Sequence, residues 1–410
     1  MRRFANIYIV LFFIDATISL VDELFLLFSS SSPLPYFSSL RYFIAYLVIA
    51  LSVAIYLCLG IDRRLPKRVL LPLTLYAFWC ALGLWPLSGV IGRESLGLMA
   101  SIGQLLVGGF AVFMLRRLGS RYLLCWDLFL HPLFSWRNTL GFTIVNLFML
   151  PVALVFATLA LTGTYLDQST AGFMRLSPVG IYMAEQSYHL DQKEVRLAAM
   201  IHIGREGYYE ELIDSLSAAG TIILAEGVTD QDQLLDRQFN YNNVAGLLGL
   251  SSQEMMQIDG NLVDFETDEQ DVRDPAKPDI IRADIDINRF KPKTIAFLNV
   301  LGRTLFGEKP LAEGYADYNK WAEKNITPSS MTGLMADILD KRNGVVIASM
   351  VQSLKSYDTI VIPWGAMHMP AIEAAVLEQG FTPGERLERL SLDFRTIPYA
   401  ALWEKLSGVD

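Results

Sequence analysis

The sequence predicts an N-terminal α-helical membrane domain of about five transmembrane helices over residues 1–165. An α/β (α+β) domain with a mixed, partly parallel sheet is expected over residues 166–410. Three observations carry this reading. The 410 residues are 52% hydrophobic with a mean hydropathy of +0.33, too apolar for an ordinary soluble chain. The excess is concentrated before residue 165, in runs of roughly the 20 residues needed to cross a bilayer core. Beyond it, strand-like runs alternate with helical ones, as in a sheet with crossover helices.

The five spans are expected at 4–28, 42–59, 69–91, 96–115 and 140–161. Met1, Arg2 and Arg3 resemble the charged start of a signal peptide. The run after them is long, however, and is followed by four more without an evident small-residue cleavage site, so it reads as a retained helix. Arg2, Arg3, Arg63, Arg64, Lys67, Arg68, Arg116, Arg117, Arg121 and Arg137 fall on one side of a five-span array, and only Arg41 and Arg93 on the other. Basic residues collect in short cytoplasmic loops. The expected location is therefore the cell (inner) membrane, with the N-terminus cytoplasmic and the C-terminal domain extracytoplasmic.

Cysteine usage is compatible with that orientation. Cys58, Cys80 and Cys125 all precede residue 165, and the exported part has none, which suits an oxidising compartment. Formal charge divides at the same point, +6 before residue 166 and −15 after it. An acidic exported domain argues against nucleic acid as its ligand, and ordinary solubility explains the charge equally well.

One feature of the first span stands out. Asp15 and Asp22, seven apart, share a helical face, with Glu23 beside the second. Asp22 and Glu23 lie near the outer end, where an interfacial position accounts for them. An acid at mid-span costs about 2.5–3.5 kcal/mol on insertion scales and is paired or functional. Asp15 is thus the residue with a possible transport or proton role.

In the exported domain, 167–180 reads as a polar linker, 181–188 and 195–202 as strands, 208–216 as a helix and 221–225 as a short buried strand. If the crossover reading holds, that last strand neighbours the one ending in His202. The middle, about 228–328, is mixed and mostly helical, with VAGLLGL and KTIAFLNVLGRTLF as its apolar pieces. An acidic, proline-bearing loop is expected at 265–279. In IRADIDINRF, Ile281, Ala283, Ile285 and Ile287 alternate with Arg282, Asp284, Asp286 and Asn288, the period of a strand with one polar face. A long helix at 329–356 then leads to a strand at 359–362 that ends in GAMH, and another helix follows at 371–378.

Two of the four histidines sit in related settings, Ala199-Met200-Ile201-His202 and Gly365-Ala366-Met367-His368. Each follows a strand and precedes a helix, so both can reach the C-terminal edge of one sheet, where open α/β sheets bind ligands. A single such histidine is more often a core or capping residue; two together favour a site. Glu226 ends the buried run TIILAEG, where an unpaired acid is costly, so either a histidine or metal partner or simple exposure to water must account for it. Arg342 and Asn343 interrupt two adjacent apolar stripes, Leu334/Ile338/Val346/Met350 and Leu339/Ile347/Val351. An arginine there either snorkels to solvent or holds a carboxylate or oxyanion. HExxH, a Walker loop, a zinc-type cysteine set and GxSxG are all absent. Water activated by a His and Glu group remains.

The ordered set AMIHIGREGYYEEL, ILAEG, VAGLLGLSSQ, RADIDI, DKRN and GAMHMPAIEAAVLEQGF, spanning about 181–382, resembles the TraB/PrgY/GumN family. That family shares its domain with the Tiki proteins and is distantly similar to erythromycin esterase and ChaN-like proteins. The resemblance implies an active site of paired GxxH motifs and a glutamate, and Tiki members are membrane-tethered extracellular metalloproteases using manganese or cobalt. Carried over, the catalytic set is His202, Glu226, His368, Arg342 and Asn343, and the metal set His202, Glu226 and His368.

With only His189 besides those two histidines on the exported side, a metal would need carboxylates, Asp284 and Asp286 being available, and such ligation favours manganese over zinc. Two departures from the family pattern bear on geometry. Ala199 stands where the first motif has glycine, and Pro363-Trp364 before the second motif predicts a bulge or an edge strand. The expected function is a membrane-anchored extracytoplasmic hydrolase, a metal-dependent peptidase whose partners are the lipid bilayer and a peptide or protein substrate. The alternative is a non-catalytic binding or regulatory protein that sequesters a peptide or haem.

Overall fold

The computed structural model describes residues 1–29, 35–91, 93–120, 122–216, 219–236, 241, 245, 248, 250–253, 256, 258–263, 273–306 and 311–400. Most of VAGLLGL and the acidic stretch 264–272 lie outside the described residues. The chain divides into two compact units, Met1–Tyr165 and Leu166–Asp410.

The first unit is helical: α1 (Arg2–Ser29), α2 (Pro35–Ile61), α3 (Lys67–Ala81), α4 (Arg93–Arg117) and α5 (Trp136–Ser169). Its core joins Tyr8, Ile9 and Phe12 of α1, Ile55 and Leu59 of α2, Leu70 and Leu73 of α3, and Ala111 and Leu115 of α4. Small residues let the helices close. A Cβ on Gly108 would meet the Phe13 ring at 2.7 Å, and one on Gly103 would clash with the Tyr76 hydroxyl, so α4 carries glycine where α1 and α3 press against it.

Among the described residues, four helices are long and apolar enough to cross a membrane: Arg2–Phe28, Ser39–Ile61, Ser95–Arg117 and Trp136–Ser169. The third expected span differs. Its helix α3 has 15 residues, about 22 Å at 1.5 Å per residue, against a hydrocarbon core of about 30 Å. Gly83 (φ 66°) and Leu84 (φ 58°) break it, and a 3₁₀ turn, Leu87–Gly89, follows. The turn satisfies its own backbone, through Gly83 N–H to Cys80 O (3.0 Å), Leu84 N–H to Trp79 O (3.0 Å) and Leu87 N–H to Leu84 O (2.8 Å). The Trp79 indole N–H caps Trp85 O at 2.7 Å. Irregular backbone is tolerated at membrane depth where its polar groups are bonded within the protein, as these are.

The second unit is built on a mixed eight-stranded sheet. Its strands are β1 (Met174–Leu176), β2 (Gly180–Leu190), β3 (Lys193–Met200), β5 (Thr221–Ala225), β7 (Asn261–Leu262), β8 (Asp279–Arg282), β9 (Thr359–Gly365) and β10 (Thr382–Asp393). The short β4 (Ile203–Gly204) and β6 (Ser251–Ser252) pair separately. The spatial order is β1-β2-β3-β9-β5-β8-β7, with β10 also on β2. Pairing is antiparallel around β2 and parallel from β3 through β9, β5 and β8 to β7. The helices are α6 (Glu206–Leu216), α7 (Pro292–Phe306), α8 (Leu311–Asn325), α9 (Pro328–Met335), α10 (Lys341–Ser353) and α11 (Met369–Glu378).

Two expectations about strand order are corrected. The strand before Glu226 does not neighbour the His202 strand, because β9 lies between them. Nor is β9 an edge strand; it is central, though not regularly paired throughout, in keeping with the irregularity expected at Pro363. Its pairing with β5 stops at Val361–Ile223, before the proline, and Trp364 takes over: its buried indole N–H donates to Leu224 O at 2.9 Å. A side chain thus makes the link to β5 beyond the last paired residue.

Two further readings change in detail. IRADIDI keeps its alternation, with Ala283, Ile285 and Ile287 buried, but ladder pairing ends at Arg282. The long helix expected at 329–356 is α9 and α10 joined by a π-helical turn, Ala336–Asp340. That turn is fixed by buried Asp337, which accepts from Thr294 Oγ1 at 2.6 Å and Lys291 N at 2.8 Å.

Candidate functional site

β3 and β9 are parallel neighbours in the register Ala199↔Trp364 and Met200↔Gly365. Their chains leave the sheet side by side, and His202 and His368 follow within three residues. Ala199 and Gly365 both have negative φ, so alanine strains nothing in the first motif. The glycine of the second motif serves through its backbone, the Gly365 N–H donating to Glu226 Oε2 at 2.7 Å.

Glu226 projects from the end of β5, on the other side of β9. Arg342, on the first turn of α10, joins it to Asp284, just past β8. Arg342 Nη2 donates to Glu226 Oε1 (2.7 Å) and to Asp284 Oδ2 (2.7 Å), and Nε donates to Asp284 Oδ1 (3.0 Å). Asp284 is wholly buried and also accepts from Gly227 N at 3.0 Å. A buried guanidinium gripped by two carboxylates is held far more rigidly than an exposed pair. Its plane also lies 5.3 Å from the Trp364 ring centre.

The remaining nitrogen of Arg342 is distinctive. Nη1 faces His368 Nε2 at 3.3 Å, a long bond beside the others. His368 is buried, its ring edge-on to Trp364 at 5.1 Å, and its Nδ1 lies 2.7 Å from Asn343 Oδ1. The amide oxygen only accepts, so Nδ1 carries the proton and Nε2 keeps its lone pair. Burial pushes the His368 pKa down to about 4; Arg342 and His202 add to the depression, and Glu226 and Asp284 oppose it. The ring is therefore neutral at neutral pH.

His202 is the exposed member of the pair. Its Nδ1 lies 2.9 Å from Gln253 Oε1, and its ring stacks on Tyr241, centres 4.7 Å apart and planes at 9°. Each histidine is thus oriented by a neutral amide through Nδ1. The other expected residues separate. Asp286 caps the 3₁₀ turn Ile287–Arg289, accepting from Asn288 N and Gln231 N, and His189 lies on β2 beside Ser187, at the antiparallel end of the sheet.

No family model matches the chain, and no curated protein or solved structure matches it. The chemistry of the site therefore has to be read from its own geometry.

That geometry does not fit a divalent ion on His202, Glu226 and His368. Among the described residues, no three His, Cys, Asp or Glu side chains form a metal-holding group. Both Glu226 oxygens and both Asp284 oxygens are engaged, by Arg342 and by backbone N–H groups. Arg342 supplies the positive charge that these carboxylates would otherwise take from a metal, so ligation would require Arg342 to release Glu226.

Sequence reasoning brought His202, His368, Glu226, Arg342 and Asn343 into view and gave Asp284 only as a spare carboxylate. It missed Gln253, Tyr241 and Trp364. The alternation of RADIDI marks Asp284 and Asp286 equally. Only the tertiary position of Arg342 separates the anchor from the cap.

Proposed function

We propose that the C-terminal unit is an extracytoplasmic hydrolase, anchored by the helical unit, that cleaves peptide bonds with water activated at His368. The observation that carries this reading is the pairing of the His368 Nε2 lone pair with Arg342 Nη1. A neutral imidazole can accept a proton from water, and a guanidinium fixed from behind by Glu226 and Asp284 keeps one N–H edge for the oxyanion of a tetrahedral intermediate. In this scheme the water displaces the long Nη1–Nε2 contact, its oxygen bonds to the scissile carbonyl carbon, and its proton passes to the freed Nε2 lone pair. Arg342 Nη1 holds the developing O⁻, and the Nε2 proton then leaves with the amine as the C–N bond breaks.

Asn343 keeps His368 in the required tautomer, and Glu226 orients Arg342 together with the Gly365 backbone. His202, exposed and stacked on Tyr241, is placed at the accessible side, where it would contact the substrate. The resemblance of the sequence motifs to the TraB/PrgY/GumN family suggests the same residues, and the Tiki members of that group use manganese or cobalt.

The test is cleavage of a peptide mixture by the full-length protein, with chelator and with added manganese, beside His368→Ala and Arg342→Lys. Turnover in chelator that both variants lose supports the metal-free scheme. Turnover only with manganese would replace it with the metallopeptidase form, with Arg342 displaced. Tight peptide retention without cleavage, unchanged in His368→Ala, would favour the binding reading, which the full engagement of both carboxylates also supports.

A further inference from the structure

Asp15 is buried in the middle of α1, 7% exposed, and among the described residues its Oδ1 has no hydrogen-bond partner. Its other oxygen, Oδ2, accepts from Gln104 Nε2 of α4 at 2.9 Å, and the same amide donates to Phe12 O at 3.2 Å. Gln104 is neutral. The guanidinium that acts on Asp15 through space, Arg41 of α2, is itself bonded to Asp22 at 2.6 Å and Glu23 at 2.8 Å. From α3, Cys80 is an electrostatic neighbour of Asp15, and the Tyr76 hydroxyl donates to Ala100 O at 2.7 Å. Asp15 therefore faces one neutral amide, a thiol and a distant, occupied cation.

An ionised carboxylate in that setting lacks compensation. A proton removes the charge and leaves Oδ2 as the carbonyl that Gln104 already holds. A metal cation suits the place less well, since Na⁺-like or harder ions need several converging oxygens and among the described residues no hydrogen-bonding group reaches Oδ1. The same helical face carries Ser19 one turn on and Asp22 in the next, both buried. They extend a polar stripe from Asp15 to the Arg41 cluster.

We propose that Asp15 is an exchangeable proton-binding site of the membrane unit, reached along the stripe of Ser19, Asp22 and Glu23. This makes the helical unit a proton-responsive element as well as an anchor, independently of what the C-terminal unit does.

Infrared difference spectroscopy on the full-length protein in lipid nanodiscs tests this. A carbonyl band of an un-ionised carboxyl at neutral pH is expected, shifted in D₂O, absent in Asp15→Asn and moved to higher frequency in Gln104→Leu, which removes the bond to Oδ2. Asp22→Asn should retain the band and slow its deuterium shift. Thermal unfolding of each variant reports folding; if Asp15→Asn fails to fold, the Gln104→Leu shift decides. The proposal is overturned if the wild type shows no such band, if the band persists in folded Asp15→Asn or is unmoved in Gln104→Leu, or if sodium at constant pH abolishes it.

Discussion

Asn343 Oδ1 accepts from His368 Nδ1 at 2.7 Å, and this bond between a helix residue and a strand-end residue decides which imidazole nitrogen faces Arg342. Replacing Asn343 by Leu removes the acceptor and frees the ring to change tautomer. Turnover should fall about a hundredfold, within the range assigned to positioned general bases. Nitrogen NMR of the His368 ring supplies the check, since it should report Nδ1–H in the parent and a tautomer mixture in the variant. An unchanged ring spectrum would remove Asn343 from the mechanism.

His368 also makes stability depend on pH. Its folded-state pKa lies near 4, below the ordinary value of 6.5, chiefly because burial disfavours the charged ring. Above 6.5 both states are neutral at this residue and it adds no slope. Between 6.5 and about 4 the unfolded chain binds a proton that the folded one refuses, so stability falls with falling pH, by at most roughly 3 kcal/mol. His368→Gln should flatten that part of a denaturant-midpoint profile. An identical slope in the variant would place the titration elsewhere.

Arg342 tests the difference between a charge and a fork. Arg342→Ala leaves Glu226 and Asp284 buried without their cation, a loss of about 3–5 kcal/mol, read as a lowered unfolding midpoint. Arg342→Lys restores the charge and part of the stability. It cannot grip both carboxylates and still aim Nη1 at His368, so turnover should stay lost.

The layout of these residues shows what the sequence could carry. The paired histidines were legible because each closes an apolar run with the same small-x-x-His spacing, and the registration of β3 beside β9 brings their chains out together. The position of β9 was not legible. It is the ninth strand in sequence yet sits between β3 and β5, and nothing local to TIVIPWG distinguishes a central from an edge strand once Pro363 is present. β10 was not anticipated, because Glu385, Arg386, Glu388 and Arg389 leave no apolar alternation to read there. One of them, Arg389, is instead buried against Glu185, at 2.5 Å from its Oε2, with Arg196 on the same carboxylate. A buried ion cluster hides a strand from any reading based on apolar alternation.

Trp364 offers a test confined to the scaffold. Trp364→Phe keeps most of the apolar contact but leaves Leu224 O without its donor, so stability should drop by about 1–3 kcal/mol. Because the same ring lies under Arg342 and beside His368, turnover should fall modestly as well. A fall in turnover without loss of stability would make the indole a site residue and not the bridge from β9 to β5.

The side of the membrane on which the site lies turns on α3. If Lys67–Ala81 and the self-satisfied turn after it cross together, the chain crosses five times and the C-terminal unit is extracytoplasmic; if they return, four crossings put it beside the N-terminus. The turn at Gly83 and Leu84, with Leu84 and Trp85 buried and several of its N–H groups bonded within it, is compatible with the first arrangement, because lipid forbids exposed polar backbone. A membrane-impermeant maleimide applied to intact cells decides it. A cysteine introduced as Glu378→Cys, exposed on α11, should be labelled, while the native Cys125, in the loop expected to face the cytoplasm, should react only after lysis. The reverse pattern would place the C-terminal unit inside the cell and exclude secreted peptides as substrates of the proposed activity.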